Sequence, residues 1–177
     1  FSYQEKLLNS YNSHRFSVNM LGRQMGKTTT AVGFLLWYAM FVPDSTILIA
    51  AHKYTGAQEI MQRLRYAYEM CPDMIRAGVV SYNKQSIEFE NGSRIVAQTT
   101  TETTGRGMSI SLLYLDEFAF VEPNIATEFW TSISPTLATG GKAIITSTPN
   151  SDEDQFSLIW KEANKRIDEY GNTTELG

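Results

Sequence analysis

The residues best suited to chemistry lie in the segment LGRQMGKTTT, from Leu21 to Thr30. A loop of this kind turns several backbone N–H groups toward one point, and the helix that follows adds its positive end. Lys27 would reach the β- and γ-phosphates of a nucleotide, and the Thr28 hydroxyl would enter the shell of Mg²⁺. The match to G-x-x-x-x-G-K-[ST] is imperfect, because Leu21 replaces the first glycine. The segment still predicts a phosphate-binding loop, with nucleotide contacts from Gly22, Arg23, Gln24, Met25, Gly26, Lys27, Thr28 and Thr29.

Such a loop needs an acidic partner to hold the metal ion, usually at the end of a buried strand. Four apolar residues, Leu112 to Leu115, precede Asp116 and would carry it to the edge where open α/β sheets bind ligands. Glu117 follows at once and could polarise an attacking water as a general base. The alternative is an acidic helix cap after a core strand. Together with the loop, the pair favours metal binding by Asp116 and catalysis by Glu117.

Two arginines are candidates for stabilising transition-state charge. Arg23 lies inside the loop and could contact the γ-phosphate from within the same subunit. Arg106, between two glycines in the polar loop Thr99 to Ser109, could reach into a neighbouring subunit. The alternatives are a surface ion pair for Arg23 and a solvated loop charge for Arg106.

Polar residues near the two ends are further candidates. Gln4, after Tyr3, could pair with adenine through N6 and N7, although a helix cap beside a packed aromatic would explain both residues too. Thr146, Ser147 and Thr148 end an apolar run and could sense the γ-phosphate, or they could simply end a strand before Pro149.

Composition indicates an ordinary globular protein of 177 residues, with 42% hydrophobic and 12% aromatic residues. A net charge of −4 disfavours tight, independent DNA binding by the chain as a whole. The single cysteine fits a reducing compartment, and no apolar run approaches the roughly 18 residues needed to span a bilayer. The chain begins without Met and inside a patterned segment. We therefore expect residues 1–177 to be one domain cut from a longer chain.

Short apolar runs alternate with helical patterns, which is typical of an α/β protein with a mainly parallel sheet flanked by helices. The predicted helices are Ser2–Tyr11, Lys27–Phe41, Thr55–Met70, Asn124–Leu137 and Gln155–Ile167. Thr55 and Gln58 predict a capping box for the third, and Pro135 is expected to fray the fourth. The predicted buried strands are Arg15–Met20, Ser45–Ala51, Ser111–Glu117 and Lys142–Pro149.

Three further short strands are predicted at Gly78–Tyr82, Ser86–Glu90 and Ser93–Thr99. Asn91-Gly92 joins the last two and predicts a tight two-residue hairpin. We expect these strands to form a small antiparallel insertion between two halves of the parallel sheet.

The segments YQ, GRQMGKTT, LLYLDEFAF and ITSTPN occur in an order that resembles the large terminase ATPases of tailed bacteriophages. AHKYTGAQEI, NKQSIEFENGS and the GRG loop are also similar to that family, so the resemblance extends from Tyr3 to about Trp160. Phosphate loops in this family commonly have the first glycine out of register and contain an arginine. Leu21 in place of that glycine therefore supports the resemblance.

The resemblance implies a P-loop ATPase of the additional-strand, catalytic-glutamate type that drives viral double-stranded DNA into a procapsid. It implies that Lys27 and Thr28 bind phosphate and Mg²⁺, that Asp116 is the Walker B acid and that Glu117 is the base. It also makes Tyr3 and Gln4 the adenine-contacting motif, and Thr146 to Thr148 the segment that couples hydrolysis to movement.

The implied partners are the DNA, a portal protein, a small terminase subunit and further copies in a ring, usually of five. The implied place is the cytoplasm of the infected bacterium, transiently on the procapsid and not on a membrane. Family members also carry a C-terminal nuclease with an acidic triad. No such triad is recognisable here, so we expect ATP hydrolysis without DNA cleavage.

Three other functions compete with this interpretation. A superfamily 2 helicase or translocase shares the glutamine motif, the phosphate loop and the DExx strand, but it would need a second motor domain. A nucleotide-binding module without hydrolysis, or a packaging scaffold, would not need Glu117. A GTPase is disfavoured because Asn83-Lys84 does not continue as the Asn-Lys-x-Asp guanine motif.

Overall fold

The computed structural model describes residues 2–21, 26–150 and 154–163. Within these residues, five α-helices flank one seven-stranded sheet, and a short 3-10 helix, Phe118–Phe120, follows the sixth strand. In chain order, the helices are α1 (Ser2–Ser13), α2 (Lys27–Phe41), α3 (Tyr54–Met70), α4 (Pro123–Leu137) and α5 (Gln155–Ala163). The strands are β1 (Phe16–Met20), β2 (Thr46–Ala51), β3 (Val79–Tyr82), β4 (Ser86–Phe89), β5 (Arg94–Thr99), β6 (Leu112–Asp116) and β7 (Lys142–Ser147). Every predicted element is present, although the predicted end of the last helix lies outside the described residues.

The strand order across the sheet is β1-β7-β6-β2-β5-β4-β3. The first five strands run parallel, and only β4 and β3 are antiparallel to their neighbours. The expected insertion between two halves of the sheet is therefore wrong. The hairpin extends one edge, and its second strand, β5, is itself a parallel partner of β2.

The turn between β4 and β5 has three residues rather than the predicted two. Phe89 pairs with Ser93, its N–H donating to the Ser93 carbonyl at 2.8 Å, and the Gly92 N–H donates back to the Phe89 carbonyl at 3.1 Å. Gly92 has φ 85°, the left-handed conformation that follows a type I turn in three-residue hairpins. The asparagine–glycine pair thus predicted the hairpin, but the extra residue makes Gly92 a bulge.

The predicted start of the third helix is also wrong, whereas the predicted end of the fourth helix at Leu137 is confirmed. The third helix begins at Tyr54, and Thr55 is not its cap; the Gln58 amide instead donates to the Tyr54 hydroxyl at 2.9 Å. Pro135 lies inside α4, which continues to Leu137. Pro135 has no N–H to donate to the Thr131 carbonyl, so the last turn of α4 lacks that hydrogen bond, yet the helix continues for two more residues.

The two faces of the sheet carry separate cores. One packs against α1, α2 and α3 and includes Leu112 and Tyr114 of β6. The other packs against α4 and α5 and includes Leu113 and Leu115. Successive side chains of a strand point to opposite faces, so β6 is apolar on both sides and ends at the polar edge with Asp116.

Candidate functional site

The predicted phosphate loop ends at Gly26, immediately before α2. Residues 22–25, which include the predicted contacts Gly22, Arg23, Gln24 and Met25, lie outside the described residues. Gly26 precedes the helix with φ 69°. The Thr30 hydroxyl donates to the Gly26 carbonyl at 3.1 Å, which fixes the first turn. Thr28 is half-buried and Thr29 is exposed at this helix end.

Lys27 and Glu117 meet at the carboxyl edge of the sheet. The Lys27 ammonium is buried and forms an ion pair with Oε1 of Glu117. The Thr148 hydroxyl donates to the other carboxylate oxygen, Oε2, at 3.2 Å. Glu117 has a left-handed backbone conformation, with φ 52°. A non-glycine residue is strained there, and such strain tends to occur at functional sites.

Asp116 ends β6 beside this pair. The Tyr114 hydroxyl donates to its Oδ1 at 3.3 Å. Burial, and next the charge of Glu117, raise the pKa of Asp116 to about 6, while Lys27 acts in the opposite direction. Asp116 and Glu117 both line a cavity of about 260 Å³ between the ends of β2 and β6 and the start of α3.

The segment Thr146 to Thr148 joins the loop to the acids, because β7 lies between β1 and β6. The Thr146 carbonyl accepts from the Glu117 N–H at 2.9 Å, and the Ser147 carbonyl accepts from the Leu21 N–H at 3.1 Å. The Ser147 hydroxyl also accepts from the N–H of Ala119 at 3.1 Å. Together, Thr146, Ser147 and Thr148 therefore contact Leu21, where the predicted loop begins, and Glu117.

Tyr3 and Gln4 lie next to the end of the loop. A Cβ placed on Gly26 would stand 3.0 Å from the Gln4 amide nitrogen and 3.5 Å from the Tyr3 hydroxyl. Gly26, without a Cβ, thus lets the first turn of α1 approach its backbone closely, and the predicted adenine contacts Tyr3 and Gln4 lie beside it.

Arg106 is exposed in the turns that follow β5. Within the described ranges, no hydrogen bond or ion pair joins its guanidinium to Lys27, Asp116 or Glu117. Its predicted role across subunits stays a prediction, and so does the role of Arg23.

Sequence reasoning missed Tyr114 and treated it as part of a core strand. It stands two positions before Asp116, so strand alternation places both side chains on one face. That spacing was available in the sequence, and it would have identified the tyrosine as a neighbour of the acid.

The strand order, together with the start of α2 and the acid at the end of β6 at one edge of the sheet, defines this fold as that of a P-loop NTPase. Residues 18–174 match the family described as the N-terminal part of the terminase large subunit, T4likevirus-type. The chain belongs to that family. The match favours the terminase resemblance over the helicase alternative.

Solved structures of phage terminases share the fold. A mutant of the large terminase ATPase domain of Thermus phage P74-26 is 20% identical, with a TM-score of 0.74, over 98% of this chain and 77% of that chain. The large terminase of bacteriophage HK97 is 18% identical, with a TM-score of 0.74, over 92% of this chain and 36% of that chain.

A third structure is that of a large terminase from a thermophilic bacteriophage in complex with ATP-γ-S. It is 12% identical, with a TM-score of 0.64, over 91% of this chain and 41% of that chain. Among the helices of the described residues, none combines the length and apolar character that crossing a membrane requires.

Proposed function

We propose that this chain hydrolyses ATP with Mg²⁺ and that hydrolysis powers the movement of viral double-stranded DNA into a procapsid. The observation that carries the proposal is the meeting of Lys27 with Glu117 and Asp116 at one edge of the sheet. Membership of the terminase family supports the same activity. The ATP-γ-S complex of a structural relative supports a nucleotide as the ligand.

The donors at this edge suit magnesium. Mg²⁺ is usually held by one or two carboxylates together with waters and phosphates, rather than by a cage of protein ligands. Asp116 offers such a carboxylate, and Thr28 offers a hydroxyl at the start of α2. No cluster of three or more His, Cys, Asp or Glu suited to a metal occurs in the part of the chain described. Bound Mg²⁺ would neutralise phosphate charge and orient the triphosphate.

Lys27 would bind the β- and γ-phosphates from the buried start of α2. Its ammonium is already oriented toward the acidic edge by Glu117, so phosphate oxygens would compete with that carboxylate for it. Charge-assisted hydrogen bonds of this kind are among the stronger ones in proteins.

Glu117 would act as the general base that takes a proton from the attacking water. The Thr148 hydroxyl holds one of its carboxylate oxygens, and the backbone N–H of Glu117 is tied to β7. These contacts limit the positions that the carboxylate can take. Thr146, Ser147 and Thr148 would couple hydrolysis to movement, because they touch both the loop strand and the acids.

Tyr3 and Gln4 would contact the adenine, since both lie beside the loop end at Gly26. Arg23 would stabilise transition-state charge within its own subunit, and the exposed Arg106 would do so in a neighbouring subunit of a ring. Mixing two inactive variants tests the role of Arg106. Arg106→Ala chains mixed with Glu117→Ala chains should regain phosphate release in assembled rings. No recovery at any mixing ratio would count against a role for Arg106 across subunits.

The proposed partners are double-stranded DNA, a portal protein, a small terminase subunit and further copies of the chain in a ring of five. Family membership supports these partners. The chain on its own is proposed to cleave no DNA, and metal-dependent nicking of a plasmid by the purified chain would refute that part.

The test of the proposed function is phosphate release from ATP by the wild type and by Glu117→Ala. We expect Mg²⁺-dependent release by the wild type only. Equal release by both would indicate a contaminant or an inert binder. The adenine assignment is checked separately by measuring the binding of ATP and of GTP. A preference for GTP would contradict the assignment of Tyr3 and Gln4.

A further inference from the structure

A tyrosine within the buried strand β6 contacts the acid at the end of the same strand. The Tyr114 side chain is fully buried in the core under α1, α2 and α3, and its hydroxyl lies 3.3 Å from Oδ1 of Asp116. The two residues share a face of the strand because they are two positions apart. A ring could be packed here by phenylalanine equally well, so the hydroxyl needs a separate explanation.

The hydroxyl is costly to bury, because it loses its hydrogen bonds to water. A phenol hydroxyl carries a proton to donate and an ionised carboxylate can only accept, so Tyr114 is the donor and Asp116 the acceptor. The direction of this hydrogen bond is thus fixed, and it stabilises the ionised form of Asp116.

Two further buried hydroxyls surround this contact. Thr146 of β7 is the register partner of Asp116, and Tyr11 of α1 packs on the ring of Phe34 at 5.5 Å between ring centres. Within the described residues, however, neither the Tyr11 nor the Thr146 hydroxyl has a hydrogen bond of ordinary geometry. Of the three hydroxyls, only Tyr114 is bonded to the acid.

We propose that Tyr114 is a positioning residue that holds the Asp116 carboxylate in one orientation for the divalent cation. This inference rests on the proposed function, in which Asp116 binds the metal. Groups that hydrogen-bond to metal ligands from the second layer typically affect metal affinity about 10- to 100-fold when they are removed. A tyrosine that served only as core filling would have no such effect.

The experiment is a titration of Mn²⁺ into the chain with ADP, followed by electron paramagnetic resonance, for the wild type and Tyr114→Phe. We expect the half-saturating Mn²⁺ concentration to rise on the order of tenfold. ADP affinity without metal should change less than twofold. Tyr68→Phe is the matched control, because it removes a hydroxyl that is bonded to the Ala77 carbonyl near the edge strand β3. It should leave the half-saturating concentration unchanged.

Equal Mn²⁺ half-saturation for Tyr114→Phe and the wild type would overturn the positioning role while leaving the proposed function intact. Failure of the wild type to bind Mn²⁺ with nucleotide would overturn the proposed function and this inference together. If Tyr114→Phe does not fold, a wild-type crystal structure with Mg²⁺ and an ATP analogue decides. A Tyr114 hydroxyl bonded to Asp116 supports the inference, and one bonded elsewhere overturns it.

Discussion

The Lys27 ammonium forms an ion pair with the Glu117 carboxylate, although ninety positions separate the two residues in the chain. The contact exists because β1 and β6 are the two parallel neighbours of β7. Both strands therefore end at the same edge of the sheet. The loop after β1 and the acid after β6 thereby become one site, and the activity expected of either residue depends on this meeting.

Replacing Glu117 with glutamine should abolish most of the hydrolysis. An amide cannot accept the proton of the attacking water, so we expect phosphate release to fall by about 10²- to 10⁴-fold. Nucleotide binding should persist, because the amide keeps the shape of the side chain. The measurement is steady-state phosphate release, together with ATP-analogue binding. Glu122→Gln is the control, since this exposed acid lies five residues further along; loss of activity in both variants would contradict the assignment.

Replacing Lys27 with alanine should weaken nucleotide binding. A hydrogen bond to a charged group contributes about 1.5–3 kcal/mol, so ATP affinity should fall roughly tenfold or more. Calorimetric titration of an ATP analogue measures the change. Lys84→Ala, in the exposed turn before β4, removes the same charge away from the edge and should bind like the wild type. An unchanged affinity for Lys27→Ala would place the phosphates elsewhere.

Asp116 should destabilise the nucleotide-free protein at neutral pH. Its pKa is raised from 3.8 to about 6, so the folded state holds the proton more tightly than the unfolded chain does. Its contribution to stability is therefore largest below pH 4 and is lost as the pH rises to about 6. At about 1.4 kcal/mol per pKa unit, the ionised group costs the fold up to about 3 kcal/mol above pH 6.

Asp116→Asn should accordingly raise the free energy of unfolding at pH 7.5, and its advantage over the wild type should shrink toward pH 4. Denaturant unfolding at several pH values measures both effects. Exposed Glu128 on α4 provides the control, because Glu128→Gln should change stability by less than about 0.5 kcal/mol. An Asp116→Asn variant less stable than the wild type at pH 7.5 would show that the carboxylate is well solvated.

Two glycines near the start of α2 should respond to alanine in opposite ways. Gly26 has φ 69°, and an added Cβ would stand 3.0 Å from the Gln4 amide, so Gly26→Ala should cost about 1–2 kcal/mol and weaken nucleotide binding. Gly33, inside the helix, has no atom within 4 Å of an added Cβ. Gly33→Ala should therefore stabilise the protein by about 0.5–1 kcal/mol. Thermal unfolding of both variants checks the pair, and equal shifts would contradict the left-handed conformation of Gly26.

Much of this fold could be predicted because strand runs and helical patterns are local signals. The apolar run before Asp116 predicted a strand buried on both faces, and the structure has it at Leu112–Asp116. The meeting of Lys27 with the acidic pair was also predictable, since loop and strand end at one edge of a parallel sheet.

What could not be predicted depends on contacts with distant residues. The exact turn before β5 has one residue more than the Asn91-Gly92 pair indicates, and Tyr54 rather than Thr55 begins α3. The place of the hairpin at the sheet edge depends on which strand β5 pairs with, and no local pattern fixes that choice. Thr148 contacts Glu117 for the same reason, because only the order of strands places β7 beside β6.

The most direct test of the central claim is a crystal structure of the chain with Mg²⁺ and a non-hydrolysable ATP analogue. The triphosphate should lie at the start of α2 with its β- and γ-phosphates on Lys27, and Asp116 should face the metal ion. Glu117 should then face the γ-phosphate. A nucleotide bound away from Lys27, or a metal ion bound without Asp116, would contradict the proposed function.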